Sequence, residues 1–305
     1  MIVAVVGPTA AGKSSLAIGL AQELAADGRP AEIVNADSML VYRGMDIGTA
    51  KPTPAERALV PHHLIDVLDV TRTATVAEFQ SMARAAIADC QERCVIPILV
   101  GGSALYVRAV LDDFRFPGTD PELRSRLEAE LAELGPAALH ARLAERDPAA
   151  AASILPGNGR RVVRALEVIE LTGEPFAASL PERRYLLPDV RQLGLDLDRP
   201  GLDARIEQRV DAMWADGFVA EVEHLVSLGL RDGLTASRAL GYAQILRFLD
   251  GELTESQARE ATVVGTRKFA RRQDSWFRRD ERISWFEAGR PDLVGAVRDA
   301  LDVRP

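Results

Sequence analysis

The chain has 305 residues, 47% of them hydrophobic and 27% charged, with a formal net charge of −8. This composition is ordinary for a globular protein of one large or two smaller domains, and the negative charge argues against a surface coated by nucleic acid. No apolar run is long enough to span a membrane, and the first residues indicate a buried strand instead of a signal peptide. We therefore expect a cytoplasmic protein without membrane contact.

The first 117 residues alternate between short apolar runs and helical patterns. Three runs have the length and composition of buried strands: "IVAVV" (2–6), "AEIV" (31–34) and "VIPILV" (95–100). Stretches with helical periodicity separate and follow them. This alternation predicts an α/β fold with a parallel sheet and flanking helices.

Two cysteines, Cys90 and Cys94, end one of these helical patterns. Two are too few for a disulfide framework, and the nearest histidines, His62 and His63, have no ligand spacing relative to them. Metal binding stays open as an alternative, but we favour the interpretation of both cysteines as inert thiols near a helix end.

The alternation ends near residue 117, and helical patterns alone fill the stretch from Thr119 to about Leu180. The stretch opens with a predicted capping box, in which Thr119 caps the helix and Glu122 reaches back. We predict an inserted all-helical subdomain at 118–189.

Strand-like runs return at 191–197 and 282–288, and a long helix that begins at Thr254 lies between them. Both runs are predicted to join the sheet of the first segment. The α/β core therefore comprises residues 1–117 and 190–305, with helices towards its C-terminus.

The segment "GPTAAGKSS" (7–15) fits the pattern Gly-x-x-x-x-Gly-Lys-Ser between a strand and a helix. In this motif, backbone N–H groups and the helix N-terminus hold phosphate oxygens, the lysine adds a mobile charge and the serine hydroxyl binds Mg²⁺. A di- or triphosphate is therefore predicted to bind at Gly7, Pro8, Thr9, Ala10, Ala11, Gly12, Lys13 and Ser14.

A single aspartate, in "NADS" (35–38), ends the second strand, where ligands of open parallel sheets bind. Asp37 is therefore expected near the phosphate loop, as a metal ligand, a general base or the cap of a turn. The segment by which GTPases read the guanine base is absent from the sequence. The strand at 95–100 does not end in an acidic residue, whereas the corresponding strand of motor-type ATPases ends in a Mg²⁺-binding aspartate. The loop thus lacks the usual machinery for hydrolysis.

A basic segment, "TRKFARRQDSWFRRDER" (266–282), stands out in this acidic chain. Arginine pairs with phosphate and aromatic rings stack on bases, so RNA binding and a solvated helix face both remain open. Arg205 and Arg209 lie one helical turn apart. They either face solvent or clamp a diphosphate.

Seven blocks in order resemble the bacterial tRNA dimethylallyltransferases, from the first strand to about residue 286. They are "GPTAAGKSSLA", "NADSMLVYRGMDIGTAKP", "PHHLIDV", "LVGGSALYVRA", "RALEVIELTG", "LGYAQI" and "TRKFARRQDSWFRR". The resemblance implies a phosphate-loop core with a helical insertion that contacts tRNA. It implies transfer of a dimethylallyl group from dimethylallyl diphosphate to N6 of the adenosine beside the anticodon, with Mg²⁺ as cofactor and diphosphate as product. We expect a monomer.

The resemblance also implies roles for individual residues. Asp37 matches the family's general base, and Thr9 matches the threonine that holds the bridging diphosphate oxygen. Lys13 and Ser14 match the contacts to diphosphate and Mg²⁺. The family's tRNA-contacting segments match Asp37, Ser38, Met39, Leu40, Ser103, Arg124, Arg160, Arg161, Arg164, Gly241, Tyr242, Gln244, Arg267, Arg271, Arg272 and Gln273.

A further family arginine, which contacts the diphosphate, matches either Arg205 or Arg209. Leu40 stands where many members have glutamine, so this position is not expected to read tRNA by hydrogen bonding. The alternatives are an adenylate isopentenyltransferase, a phosphate-loop nucleotide or small-molecule kinase, and a non-catalytic RNA-binding protein. The helical insertion and the basic segment favour a polynucleotide substrate.

Overall fold

The structure, a computed structural model, describes residues 1–114, 116–176 and 182–302. Its strands are β1 (Ile2–Val6), β2 (Ala31–Asn35), β3 (His62–His63), β4 (Ile96–Gly101), β5 (Val190–Asp196) and β6 (Ile283–Glu287). They form a parallel sheet in the order β3-β2-β4-β1-β5-β6. The predicted α/β fold is confirmed, and each predicted strand agrees within one residue at either end.

Helices flank this sheet and fill the insertion. They are α1 (Lys13–Ala26), α2 (Pro54–Leu59), α3 (Val76–Glu92), α4 (Ala104–Leu111), α5 (Pro121–Arg146), α6 (Pro148–Ser153), α7 (Gly159–Thr172), α8 (Arg199–Ala215), α9 (Phe218–Ser227), α10 (Tyr242–Leu249), α11 (Glu255–Phe277) and α12 (Leu293–Asp302). In the described ranges, no helix combines the length and apolar character needed to cross a bilayer.

The central strand β1 is buried on both faces, which explains its unbroken apolar sequence. Ile2, Ala4 and Val6 belong to the core that packs under α3 and α4, whereas Val3 and Val5 belong to the core under α1 and α12. Side chains alternate between the faces of a strand, so both cores fix β1 in place. The loop that follows Val6 therefore begins from a rigid support.

The chain divides into two compact units. One comprises Met1–Asp112 and Tyr185–Pro305 and contains the sheet, and the other comprises Asp113–Arg184. The second unit has its own apolar core from α5, α6 and α7, which includes Leu127, Leu139 and Leu166. Residues 177–181, at the end of the stretch expected to be helical, lie outside the described residues.

Two predicted helix starts had different outcomes. Thr119 was expected to cap α5, but Asp120 does so, because its carboxylate accepts hydrogen bonds from two N–H groups of the first turn at 2.9 and 3.1 Å. Pro121 occupies the first helical position, where its missing N–H costs nothing, and so moves the start by one residue. The predicted start of α11 at Thr254 is confirmed, and there Thr254 and Gln257 form a capping box.

Candidate active site

The phosphate loop connects β1 to α1 at the carboxyl end of the central strand. Gly7 and Gly12 have φ angles of +139° and +99°, a region that residues with a Cβ rarely adopt. No side chain caps α1 at Gly12. The N–H groups of the first turn therefore point towards the space where an anion is expected.

Lys13 turns back onto its own loop, and its Nζ donates to the carbonyl oxygen of Pro8 at 2.6 Å. Burial lowers the pKa of Lys13 to about 8, the negative charge of Asp37 raises it and the positive charge of Arg209 lowers it. The charge of Lys13 at mildly alkaline pH therefore depends on an anion being present.

Asp37 is held in position by the residue two places before it. The side chain of Asn35 is buried, its Oδ1 accepts from the Asp37 N–H at 2.8 Å and its Nδ2 donates to the Asp37 carbonyl at 2.9 Å. Oδ1 of Asp37 accepts from the Met39 N–H at 2.8 Å. Within the part of the chain that the structure describes, Asp37 Oδ2 has no partner, so it can accept a proton from a ligand.

Two glycines, Gly101 at the end of β4 and Gly102 directly after it, allow neighbouring segments to approach closely. A Cβ on Gly101 would lie 2.4 Å from the carbonyl oxygen of Ala36, and one on Gly102 would lie 2.5 Å from Nε2 of Gln273. A Cβ on Gly101 would collide with backbone, whereas a Cβ on Gly102 would require the Gln273 side chain to move. These glycines were not among the predicted site residues, although a Gly-Gly pair at the end of a strand indicates such a close approach.

Arg209 and Arg205 differ in burial and in their contacts with the phosphate loop. Arg209 is half-buried, with Nη1 3.4 Å from the Thr9 hydroxyl oxygen and Nη2 donating to the Thr49 carbonyl at 3.0 Å. Burial lowers the pKa of Arg209 and the charge of Asp37 opposes this change. Arg205 is exposed, and its Nη1 is 4.0 Å from the point where a Cβ of Gly12 would lie.

Several residues expected to contact tRNA have hydrogen-bond partners within the protein. The Tyr242 side chain is fully buried and its hydroxyl donates to Glu221 Oε1 at 2.6 Å, while Gln244 Oε1 accepts from the Gly241 N–H at 2.8 Å. Gln273 is buried against the phosphate loop. The burial of the Tyr242 and Gln273 side chains depends on packing, which a motif match cannot reveal.

The basic residues of α11 fall into two groups. Arg267 donates to Glu207 at 2.7 Å and Arg271 donates to Asp203 at 3.2 Å, so both are engaged with α8. Arg272 is exposed and has no ion pair with any described residue. Ser38, Met39, Leu40 and Ser103 are half-buried.

In the second unit, Arg124 and Arg164 surround a buried carboxylate. They donate to Glu167 at 2.5 and 2.8 Å. Burial raises the pKa of Glu167, but the hydrogen bonds from both arginines more than offset this effect and lower it. Arg160 and Arg161, at the start of α7, are exposed.

A second polar cluster lies on β2, β3 and α3. His63 Nε2 is 2.6 Å from Glu32 Oε2, and Cys90 Sγ is 3.7 Å from the same nitrogen, so His63 and Cys90 meet despite their spacing in sequence. Arg93 already donates to both oxygens of Glu32 at 2.8 and 2.7 Å. Burial and the charge of Glu32 raise the pKa of Cys90 to about 11. We interpret the group as an ion-paired cluster with a protonated thiol.

The chain is similar to proteins of one family over nearly its whole length. The family model described as IPP transferase matches residues 40–280. The tRNA dimethylallyltransferase of Kineococcus radiotolerans is 65% identical across 100% of this chain and 96% of that protein. The corresponding protein of Thermobifida fusca is 64% identical across 96% of this chain and 92% of that protein.

Solved structures agree with these relatives. The full-length tRNA isopentenylpyrophosphate transferase of Bacillus halodurans has 39% identity and a TM-score of 0.71, with 98% of this chain and 95% of that chain covered. A eukaryotic dimethylallyltransferase acting on tRNA has 26% identity and a TM-score of 0.81, with 98% and 77% covered. The chain therefore belongs to the IPP transferase family, among the prenyl-transferring tRNA dimethylallyltransferases.

Proposed function

We propose that the chain transfers a dimethylallyl group from dimethylallyl diphosphate to N6 of the adenosine beside the anticodon of tRNA. The observation that carries this proposal is the position of Asp37, which Asn35 holds directly after β2 at the carboxyl edge of the sheet, the edge from which the phosphate loop also starts. There burial lowers the pKa values of both Lys13 and Arg209, and the charge of Asp37 raises them. A proton acceptor thus lies beside two cations at a phosphate loop. That combination fits a reaction in which a nucleophile loses a proton while a diphosphate leaves.

The chemistry places few demands on the protein, because an allylic diphosphate ionises to a delocalised cation. The N6–carbon bond forms as the carbon–oxygen bond to diphosphate breaks, and Asp37 Oδ2 accepts the N6 proton. Arg209, Lys13 and the N–H groups of the loop stabilise the negative charge that develops on the leaving diphosphate. We assign to the Thr9 hydroxyl, 3.4 Å from Arg209 Nη1, the hydrogen bond to the bridging oxygen.

The oxygen donors at the loop fit Mg²⁺, which binds through hard oxygen ligands and phosphates and keeps several waters. Ser14 is exposed in the first turn of α1, and we propose its hydroxyl as the protein ligand. When bound, Mg²⁺ would neutralise part of the diphosphate charge. We further propose that the protein acts as a monomer in the cytoplasm.

A labelling experiment tests the proposed reaction against the alternatives. The protein is incubated with labelled dimethylallyl diphosphate or labelled ATP, and with unmodified tRNA or AMP. Prenyl label that enters tRNA supports the proposal, whereas prenyl label in AMP indicates an adenylate isopentenyltransferase. Phosphate transferred from ATP indicates a kinase, and tRNA binding without transfer indicates a binding protein.

Binding of dimethylallyl diphosphate without tRNA is expected to take up a proton at alkaline pH. The pKa of Lys13 is about 8 in the free protein, so its amine is mostly neutral at pH 9. A bound diphosphate favours the charged amine and raises this pKa, so affinity is highest below pH 8 and falls as pH rises further. Calorimetry in buffers with different ionisation enthalpies measures the uptake. Equal uptake in Lys13→Met would contradict this assignment.

Arg272→Ala is expected to weaken tRNA binding and to reduce its salt dependence by about one released counterion, because this exposed side chain is free to contact phosphate. Arg267→Ala is the matched control on the same helix, since Arg267 is already paired with Glu207. Affinity measured across a range of salt concentrations gives both slopes. A larger change in the Arg267 variant would contradict the division of α11 into paired and unpaired arginines.

A further inference from the structure

Gln273 reaches the phosphate loop from α11. Its side chain is only 6% exposed, and its Oε1 accepts from the Thr9 N–H at 2.9 Å. The Thr9 N–H therefore points at Gln273 and not at a ligand. In contrast, the Thr9 hydroxyl lies towards Arg209, 3.4 Å from Nη1.

The Nε2 end of the Gln273 amide occupies the space that a side chain at Gly102 would need. A Cβ on Gly102 would lie 2.5 Å from Gln273 Nε2 and 3.4 Å from the carbonyl oxygen of Gly7. The amide is thus confined between the end of β4 and the first residues of the phosphate loop. Such confinement fixes the side chain of Gln273 and, through it, the backbone of Thr9.

We propose that Gln273 is a positioning residue for the donor site: it sets the orientation of Thr9 in the phosphate loop and does not contact tRNA. This inference rests on the diphosphate role of Thr9 in the proposed function. Its physical basis is geometric, because a loop residue that is misplaced by about 1 Å can reduce a rate by about 10²-fold. The α11 helix would then serve the donor site through Gln273 and the tRNA through exposed Arg272.

Gln273→Met tests the proposal, because methionine has a similar length and removes both hydrogen-bonding ends of the amide. Two affinities are measured separately by calorimetry or anisotropy: that for inorganic diphosphate with Mg²⁺, without tRNA, and that for tRNA, without diphosphate. We expect the Kd for diphosphate to rise about tenfold or more and the Kd for tRNA to stay within about twofold. The KM for dimethylallyl diphosphate should rise in parallel.

Gln192→Met is the matched control. Gln192 is also buried, but its amide donates to the Tyr185 hydroxyl at 2.8 Å. This variant is expected to lower thermal stability without separating the two affinities. The proposal is overturned if Gln273→Met weakens tRNA binding more than diphosphate binding, or if its affinities change no more than those of Gln192→Met.

Gly102→Ala is a second, independent variant, useful if Gln273→Met does not fold. Its new methyl group would displace the Gln273 amide, so the same loss of diphosphate affinity with unchanged tRNA affinity is expected. Unchanged diphosphate affinity in this variant would also overturn the proposal. Neither binding measurement requires prenyl transfer. A wild-type protein that binds diphosphate without transferring the prenyl group would refute the proposed function. The binding measurements on these variants would still decide whether Gln273 positions Thr9.

Discussion

Asp37→Asn is expected to lower kcat by about 10²–10⁴-fold, the usual contribution of a general base. Asparagine keeps an acceptor for the Met39 N–H, so the turn after β2 is preserved while the group that takes the N6 proton is lost. The affinity for tRNA should remain nearly unchanged. Single-turnover transfer of labelled prenyl into tRNA measures the chemical step directly.

Asp69→Asn is the control for this change. Asp69 is exposed and paired with Arg43 at 2.7 Å, so its variant should retain wild-type turnover. Turnover of Asp37→Asn within a few fold of wild type would remove Asp37 from the role of base. A parallel loss of tRNA affinity would instead show that Asp37 acts mainly in binding.

Arg209→Ala is expected to reduce kcat/KM for dimethylallyl diphosphate by about 10²–10³-fold, comparable with the loss of one donor from an oxyanion site. The half-buried guanidinium lies beside Thr9, where charge on the leaving diphosphate is poorly screened by water. Arg205→Ala, in the same helix, is the matched control. Because Arg205 is exposed, its removal should cost about tenfold or less.

Steady-state kinetics with varied dimethylallyl diphosphate at saturating tRNA distinguish these two arginines. A larger effect in Arg205→Ala would show that the arginine at Gly12, and not the one at Thr9, carries the diphosphate contact. Arg209→Lys adds a further comparison, because lysine keeps the charge but lacks the planar guanidinium whose two nitrogens contact Thr9 and Thr49 separately. We expect only partial recovery with lysine.

The positions of the phosphate loop and of Asp37 in the fold could be predicted from sequence, because each depends on a short contiguous signal at the end of a strand. The contact between Gln273 and Thr9 could not, because the two residues are 264 positions apart and meet only when α11 packs on the core. Burial of Tyr242 has the same origin. Motif matching identifies a segment, whereas packing decides which of its side chains face the ligand.

Short elements and contacts between residues distant in sequence were also hard to predict. The strand β3 has two residues, too few to show any periodicity, and was not predicted. His63 and Cys90 meet because β3 and α3 are neighbours of β2, which their spacing in the chain does not indicate. The hydrogen bonds of Asn35 to the Asp37 backbone could have been predicted from sequence. An asparagine at the end of a strand often bonds through its side chain to the backbone that follows.

Gly101, the last residue of β4, brings that strand into backbone contact with Ala36, the residue that precedes Asp37. At most other places a smaller side chain can relieve crowding, but at Gly101 there is nothing left to remove. Any substitution there would force the end of β4 away from the backbone that carries Asp37. Variants that accept a bulkier prenyl donor should therefore arise elsewhere around the loop, and Gly101 should stay glycine in any selection for altered donor size.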